Sequence, residues 1–241
     1  MSGIFYGVGV GPGDPELLTL KAVKAINQAD VIIAPRTEKR GDSSALAIAR
    51  DFIQAEAKIL QLVFPMVYQS DALSQAWENN KNSILDFLQQ GKKVVFLTLG
   101  DPMLYSTYMY MHRLLKDCGY PIFTIPGVTS FCAIASRLNY PLAEGNDVLC
   151  VAPATADEGD LEQMLEIADK LVLMKVYKNY PKLLDKLEQY GFLSDAVMVS
   201  NYGLAGEKII PNLAEAKEAQ VNYLTTILAK KRTKPLRHES V

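Results

Sequence analysis

The chain has 241 residues, 49% of them hydrophobic, with 25 Lys plus Arg against 27 Asp plus Glu and a net charge of −2. That is enough apolar material for one large α/β domain or two of about 120 residues, and it excludes a disordered chain. A balance this close to neutral supplies no overall field for DNA, RNA or an anionic membrane, so neither nucleic acid nor membrane is an expected partner.

In chain order, apolar runs at 4–10, 31–34, 59–64, 94–99 and 122–125 read as buried strands. They are short, rich in β-branched or aromatic residues, and bounded by Gly, Pro or charge. Helical spacing fills the intervals 16–29, 43–53, 70–89 and 104–117. In the first of these Leu17, Leu20, Val23 and Ile26 form one stripe. Strands separated by crossovers of this length imply a parallel sheet with helices on both faces.

Beyond Pro141 the texture changes. Runs at 148–151, 171–176, 196–200, 208–210 and 224–228 are again strand-like, but 208–210 follows 196–200 across only the short loop Tyr202-Gly203-Leu204-Ala205-Gly206. That spacing is a hairpin, hence a mixed sheet. The expected architecture is α/β, with two α/β domains: 1–140 with a mainly parallel sheet, 146–231 with a mixed one, and a ligand cleft between them. A basic tail at 232–241 is expected to be frayed.

Cys118, Cys132 and Cys150 are far apart, lack any Cys-x-x-Cys spacing and sit in apolar stretches, so they read as small core residues. With only His112 and His238 beside them, no metal site is expected. No basic leader precedes a long apolar run, and no apolar run nears the roughly 18 residues needed to span a bilayer. The expected setting is cytoplasmic.

Two Gly-Asp-Pro turns stand where buried strands should end: Gly13-Asp14-Pro15 and Gly100-Asp101-Pro102. Ligands of open α/β sheets bind at the carboxyl ends of strands, and such turns present backbone amides and a carboxylate there. The glycines at 7, 9, 11 and 13 do not make a dinucleotide fingerprint. The helix opens only after Asp14-Pro15, and the second strand ends Ile33-Ala34-Pro35-Arg36 with no acidic residue. No Gly-Lys-Ser or Gly-Lys-Thr makes a phosphate loop. Asp101 either caps the following helix or projects into the site; Tyr105, Ser106 and Thr107 follow on the same loop. Thr129 or Ser130, after Pro126-Gly127-Val128, is placed to cap the next helix, to hold a ligand carboxylate or hydroxyl, or to do both.

The segments Gly9-Val10-Gly11-Pro12-Gly13-Asp14-Pro15-Glu16-Leu17-Leu18-Thr19-Leu20-Lys21-Ala22, Gly100-Asp101-Pro102 and Pro126-Gly127-Val128-Thr129-Ser130, in this order and spacing, resemble the tetrapyrrole methylase family. The likeness continues through Leu173-Met174-Lys175 to Asn201-Tyr202. Gly100-Asp101-Pro102-Met103-Leu104-Tyr105-Ser106-Thr107-Tyr108 and Asn222-Tyr223-Leu224-Thr225 resemble the branch that methylates precorrin-2, or its cobalt form, at C-20 in cobalamin biosynthesis. Thr98-Leu99 stands where relatives acting on uroporphyrinogen often carry a second glycine, which argues against that branch.

The resemblance implies S-adenosylmethionine as methyl donor, contacted by Pro12, Leu99, Gly100, Asp101, Met103, Thr129 and Ser130 from the first domain. Met174, Asn201, Tyr202 and Thr226 would contribute from the second. Asp101 is the candidate catalytic carboxylate. For a tetrapyrrole with many carboxylates, Arg36 leads the basic candidates, because guanidinium suits bidentate carboxylate contact. Lys39, Arg40, Arg113, Lys175 and Lys178 follow, and an ordinary solvated loop is the other reading of the first group. Tyr105 is a further substrate candidate; Tyr223 is either an aromatic wall or a core residue. A homodimer is implied, for which helix 70–89 with Trp77 offers a face, though core packing explains Trp77 equally. Methylation of ribosomal RNA or a diphthamide precursor is the alternative activity within the family.

Overall fold

The computed structural model describes residues 2–36, 43–64 and 70–232. The chain divides into two compact units, Met1–Thr129 and Ser130–Val241. No helix among the described residues is long and apolar enough to cross a membrane.

In the first unit, β1 (Ile4–Gly9), β2 (Val31–Arg36), β3 (Lys58–Val63), β4 (Lys93–Thr98) and β5 (Ile122–Ile125) form one sheet of order β3-β2-β4-β1-β5, every pair parallel. All five strands therefore end at the same edge. Phe5, Val94 and Phe96 on one face pack with Ile84 and Leu88 of α3 (Ser70–Gln89) and Tyr108, Met111 and Leu115 of α4 (Tyr108–Leu115). Burying each of these large side chains contributes about 1.5–3 kcal/mol. Trp77 packs against Phe64 and Tyr110, with ring centroids 4.9 and 5.0 Å apart.

The first helix departs from expectation. Asp14 accepts the Glu16 amide proton and caps a short 3₁₀ turn, Pro15–Leu17; Thr19 then caps α1 (Leu20–Asn27) through the Ala22 N–H. This restart rotates the helix face. Leu18, Ala22, Ile26 and Ala29 are buried while Leu20 is 80% exposed, so the stripe through Leu17, Leu20 and Val23 is not the core face. The short α2 (Ser44–Ala49) begins at the cap Ser43.

In the second unit, β6 (Leu149–Pro153), β7 (Lys170–Met174), β8 (Ala196–Ser200), β9 (Lys208–Ile210) and β10 (Thr225–Lys230) form a sheet of order β6-β7-β10-β8-β9. Only β6 and β7 run parallel; the β8–β9 hairpin is present, and β10 lies antiparallel to both β7 and β8. Helix α5 (Ser130–Leu138) belongs here rather than to the first unit: its Ile134 and Ala135 pack with Val172, Val197, Val199 and Leu228. The boundary thus lies about ten residues before the Pro141–Gly145 interruption, which is instead a loop tied down within the second unit. There the buried Lys170 ammonium donates to the Pro141 carbonyl and sits 3.7 Å from Glu144 and Asp147 carboxylates. Helices α6 (Glu158–Ile167) and α7 (Tyr180–Gln189) complete the unit. Residues 231 and 232 are bonded to it through Asp169 and Gly191; the remainder of the expected tail lies outside the described residues.

Of the cysteines expected in the core, Cys132 is exposed and Cys118 partly buried, whereas Cys150 is partly buried and packs against the second unit's core.

Candidate active site

The carboxyl ends of β1, β4 and β5 are stitched together. Gly100 donates its N–H to the Gly11 carbonyl at 2.8 Å and accepts the Gly11 N–H at 3.3 Å. Asp101 spends both carboxylate oxygens on backbone: Oδ1 accepts the Met103 N–H at 2.8 Å and Oδ2 accepts the Gly127 N–H at 2.9 Å. The turns touch so closely that a Cβ on Gly127 would stand 2.2 Å from the Gly100 carbonyl oxygen, and one on Gly9 would stand 2.6 Å from it. Only glycine permits that approach. The two Gly-Asp-Pro turns therefore do different work. Asp14 serves its own local turn, and Asp101 reaches a different strand end.

Asp101 does not cap the next helix, and that helix does not begin at 104. Residues 102–107 form turns, the Ser106 hydroxyl bonds the Pro102 carbonyl, and α4 starts at Tyr108. Tyr108 anchors this start from the core side. Its hydroxyl shares a 2.7 Å hydrogen bond with Thr124, and burial pushes its phenol pKa up. The intervening turn thrusts Met103 and Tyr105 outward, 57% and 43% exposed. Tyr105 adopts φ 48°, a left-handed conformation that costs a residue bearing a Cβ of order 1–3 kcal/mol and clusters at functional sites.

Among the described residues, two buried hydroxyl oxygens have no hydrogen-bond partner: Thr98 Oγ1, at the end of β4, and Thr129 Oγ1, two residues past Gly127. Buried polar groups are nearly always paired, so each needs an explanation. For Thr129 the helix cap fails as one, since its hydroxyl accepts nothing from α5. Ser130 is the first residue of that helix. Pro12 is buried beside the bonded glycines, while Leu99 and Gly100 are half-buried; Gly100, at φ 71°, has open space where a Cβ would point.

Arg36 ends β2 on the same sheet edge and is exposed. Lys39 and Arg40 lie outside the described residues. Arg113 sits over the Tyr110 ring at 5.7 Å.

The second-unit candidates also converge at one sheet end. Thr226 of β10 pairs in register with Met174 of β7. Asn201, which follows β8, donates its N–H to the Leu224 carbonyl at 3.1 Å and holds φ 53°. Tyr202 comes next in the chain. Tyr223 is not a core residue: it is half-buried in an aromatic and cationic group, 5.6 Å from the Tyr177 ring and 5.7 Å from the Lys175 ammonium, with Lys178 over Tyr177 at 5.5 Å. Cation–π contact is favourable within about 6 Å. Lys175 is another non-glycine residue at positive φ, 57°.

Residue-by-residue reading missed Thr98, whose only sequence signal is a hydroxyl at the end of an otherwise apolar strand. It also missed Gly127 as the partner of Asp101, a pairing that depends on strand order.

Strand-end glycine turns locked by a carboxylate, beside unpaired hydroxyls in an α/β unit, make a candidate small-molecule site that offers backbone as much as side chains. A profile of the tetrapyrrole (corrin/porphyrin) methylases matches residues 5–217, and the chain belongs to that family. It is 37% identical over 234 residues to the cobalt-precorrin-2 C(20)-methyltransferase of Salmonella typhimurium, covering 96% of this chain and 98% of that one. It is 35% identical over 243 residues to the precorrin-2 C(20)-methyltransferase of Sinorhizobium sp., covering 95% and 97%. Among solved structures, a cobalt precorrin-4 methyltransferase superposes with a TM-score of 0.73 at 25% identity over 94% of both chains.

Proposed function

We propose that this chain transfers a methyl group from S-adenosylmethionine to C-20 of precorrin-2 or cobalt-precorrin-2, in cobalamin biosynthesis. The observation that carries this reading is the end-to-end likeness to two curated C(20)-methyltransferases, which name both metal states of the substrate. Neither of these relatives is named for ribosomal RNA or diphthamide.

The residues present fit the methyl donor. Thr98 and Thr129 offer buried hydroxyls that await a partner, and Gly100 leaves an open approach to backbone. Such groups suit the amino-acid and nucleoside ends of a zwitterionic ligand. S-adenosylmethionine, when bound, supplies a methyl carbon made electrophilic by its sulfonium. The chain's own part is to hold and orient. Pro12, Leu99, Gly100, Met103 and Thr129 of the first unit, and Ser130, Met174, Asn201, Tyr202 and Thr226 of the second, are the residues proposed to contact the cofactor. Holding donor and acceptor in near-attack geometry removes several kcal/mol from the barrier. Asp101 remains the candidate catalytic carboxylate, and its two backbone bonds fix the Gly100 turn against Gly127. Arg36, Tyr105 and Tyr223 are proposed to meet the tetrapyrrole, Arg36 by its carboxylates and the tyrosines by its flat face. A cytoplasmic homodimer completes the reading.

The test is incubation with labelled S-adenosylmethionine and either precorrin-2 or cobalt-precorrin-2, followed by carbon-13 NMR of the product. Label at C-20 is the expected outcome. Label at another ring carbon, or none with either substrate, overturns the proposal.

A further inference from the structure

The loop that carries Asn201 and Tyr202 is held by a pair of residues outside any assigned site. Glu207 Oε2 accepts the Gly203 N–H at 2.6 Å and an Arg137 guanidinium N–H at 2.8 Å. The same guanidinium lies over the Tyr202 ring at 5.6 Å. Arg137 sits near the end of α5, a helix fixed to the sheet by Ile134 and Ala135, so the loop is tied to a rigid element. Inside the loop the Asn201 side-chain amide donates to the Gly206 carbonyl at 3.2 Å, and the Asn201 carbonyl accepts the Leu204 N–H at 2.9 Å. These bonds maintain the left-handed backbone of Asn201.

The Arg137 side chain is 49% exposed and that of Glu207 19%. An ion pair this open to water adds little to global stability. Its effect is local: it fixes where the Tyr202 ring lies and how the 201–206 loop turns.

We infer that Arg137 and Glu207 are positioning residues that hold the 201–206 loop in its cofactor-binding shape and so set the affinity for the adenosyl cofactor without touching it. This rests on the proposed role of Asn201 and Tyr202 in cofactor contact.

Calorimetric titration of the full chain with S-adenosylhomocysteine tests it, alongside KM for the tetrapyrrole and thermal midpoints. Arg137→Met and Glu207→Ala are expected to raise the cofactor Kd about tenfold each, with the tetrapyrrole KM and the midpoint near wild type. The double variant is expected to lose less than the two single losses combined, because both singles break the shared Arg137–Glu207 contact. Arg137→Lys, which keeps the charge, should recover part of the loss. If Arg137→Met and Glu207→Ala bind normally while Asn201→Ala and Tyr202→Ala bind weakly, the positioning role is overturned and the cofactor reading stands. If Asn201→Ala and Tyr202→Ala also bind normally, the cofactor reading of this loop falls and the inference with it. Losses spread equally over midpoint, tetrapyrrole KM and cofactor Kd would mark a general structural role and also overturn it.

Discussion

Asp101 and Gly127 are 26 residues apart in sequence, yet the carboxylate of one accepts the amide proton of the other at 2.9 Å. This bond couples the ends of β4 and β5, while the same side chain holds the Met103 amide with its other oxygen. Asp101→Asn keeps one acceptor oxygen and turns an amide donor toward one of the two N–H groups. The variant is expected to lose about 1–3 kcal/mol in denaturant unfolding. Methyl transfer should fall by more than about tenfold, as the Gly100 turn loosens. Wild-type values in both measurements would remove Asp101 from the working site.

Gly127→Ala and Gly100→Ala should separate crowding from backbone strain. The first drives a methyl group to 2.2 Å from the Gly100 carbonyl oxygen; the second meets open space and suffers only its φ of 71°. Gly127→Ala is expected to displace the strand-end turns and abolish detectable S-adenosylhomocysteine binding. Gly100→Ala should cost about 1 kcal/mol in unfolding and bind more weakly but measurably. A reversal of that order would contradict the close contact described for these turns.

Thr129→Val removes a buried hydroxyl that has no protein partner. Deleting an unpaired polar atom is neutral or stabilising, so the urea midpoint should hold or rise. Cofactor Kd should rise about fivefold to tenfold if that hydroxyl bonds the ligand. An unchanged Kd would strike Thr129 from the contact set.

On the second unit, Glu158 bridges two lysines: Lys186 at 2.8 Å and Lys182 at 3.0 Å. Their hydrogen bonds and charges lower its carboxyl pKa from the ordinary 4.5 to about 2. A folded-state pKa below the unfolded one contributes stability that is complete above 4.5 and fades as pH falls toward about 2. The difference in urea midpoint between wild type and Glu158→Gln should therefore be constant near neutrality and close over that acidic window. A difference independent of pH would refute the assignment.

The parallel first sheet, the hairpin and the mixed second sheet were all legible because strand length and connection length constrain topology directly. What misled was local. The 16–29 segment shows helical spacing throughout, but Asp14 and Thr19 each cap a separate start, and the second start turns Leu20 to solvent. The sequence pattern puts the domain boundary between 140 and 146, where Pro141 and Gly145 interrupt the periodicity. Helix α5 joins the later unit through Ile134 and Ala135, a choice between two apolar surfaces that spacing does not encode. Of the site, the turns themselves were readable. The bond from Asp101 to Gly127 was not, since it depends on β1 lying between β4 and β5.

Strand β10 has a consequence for biosynthesis. It fills the gap between β7 and β8, both made well before it in the chain. During translation those earlier strands wait with open hydrogen-bonding edges until 225–230 emerge from the ribosome. An exposed edge of that kind invites pairing with other nascent chains. The second unit can close its sheet only when its central strand arrives after its neighbours, so a stop codon ahead of Thr225 should yield aggregates rather than a shortened soluble protein.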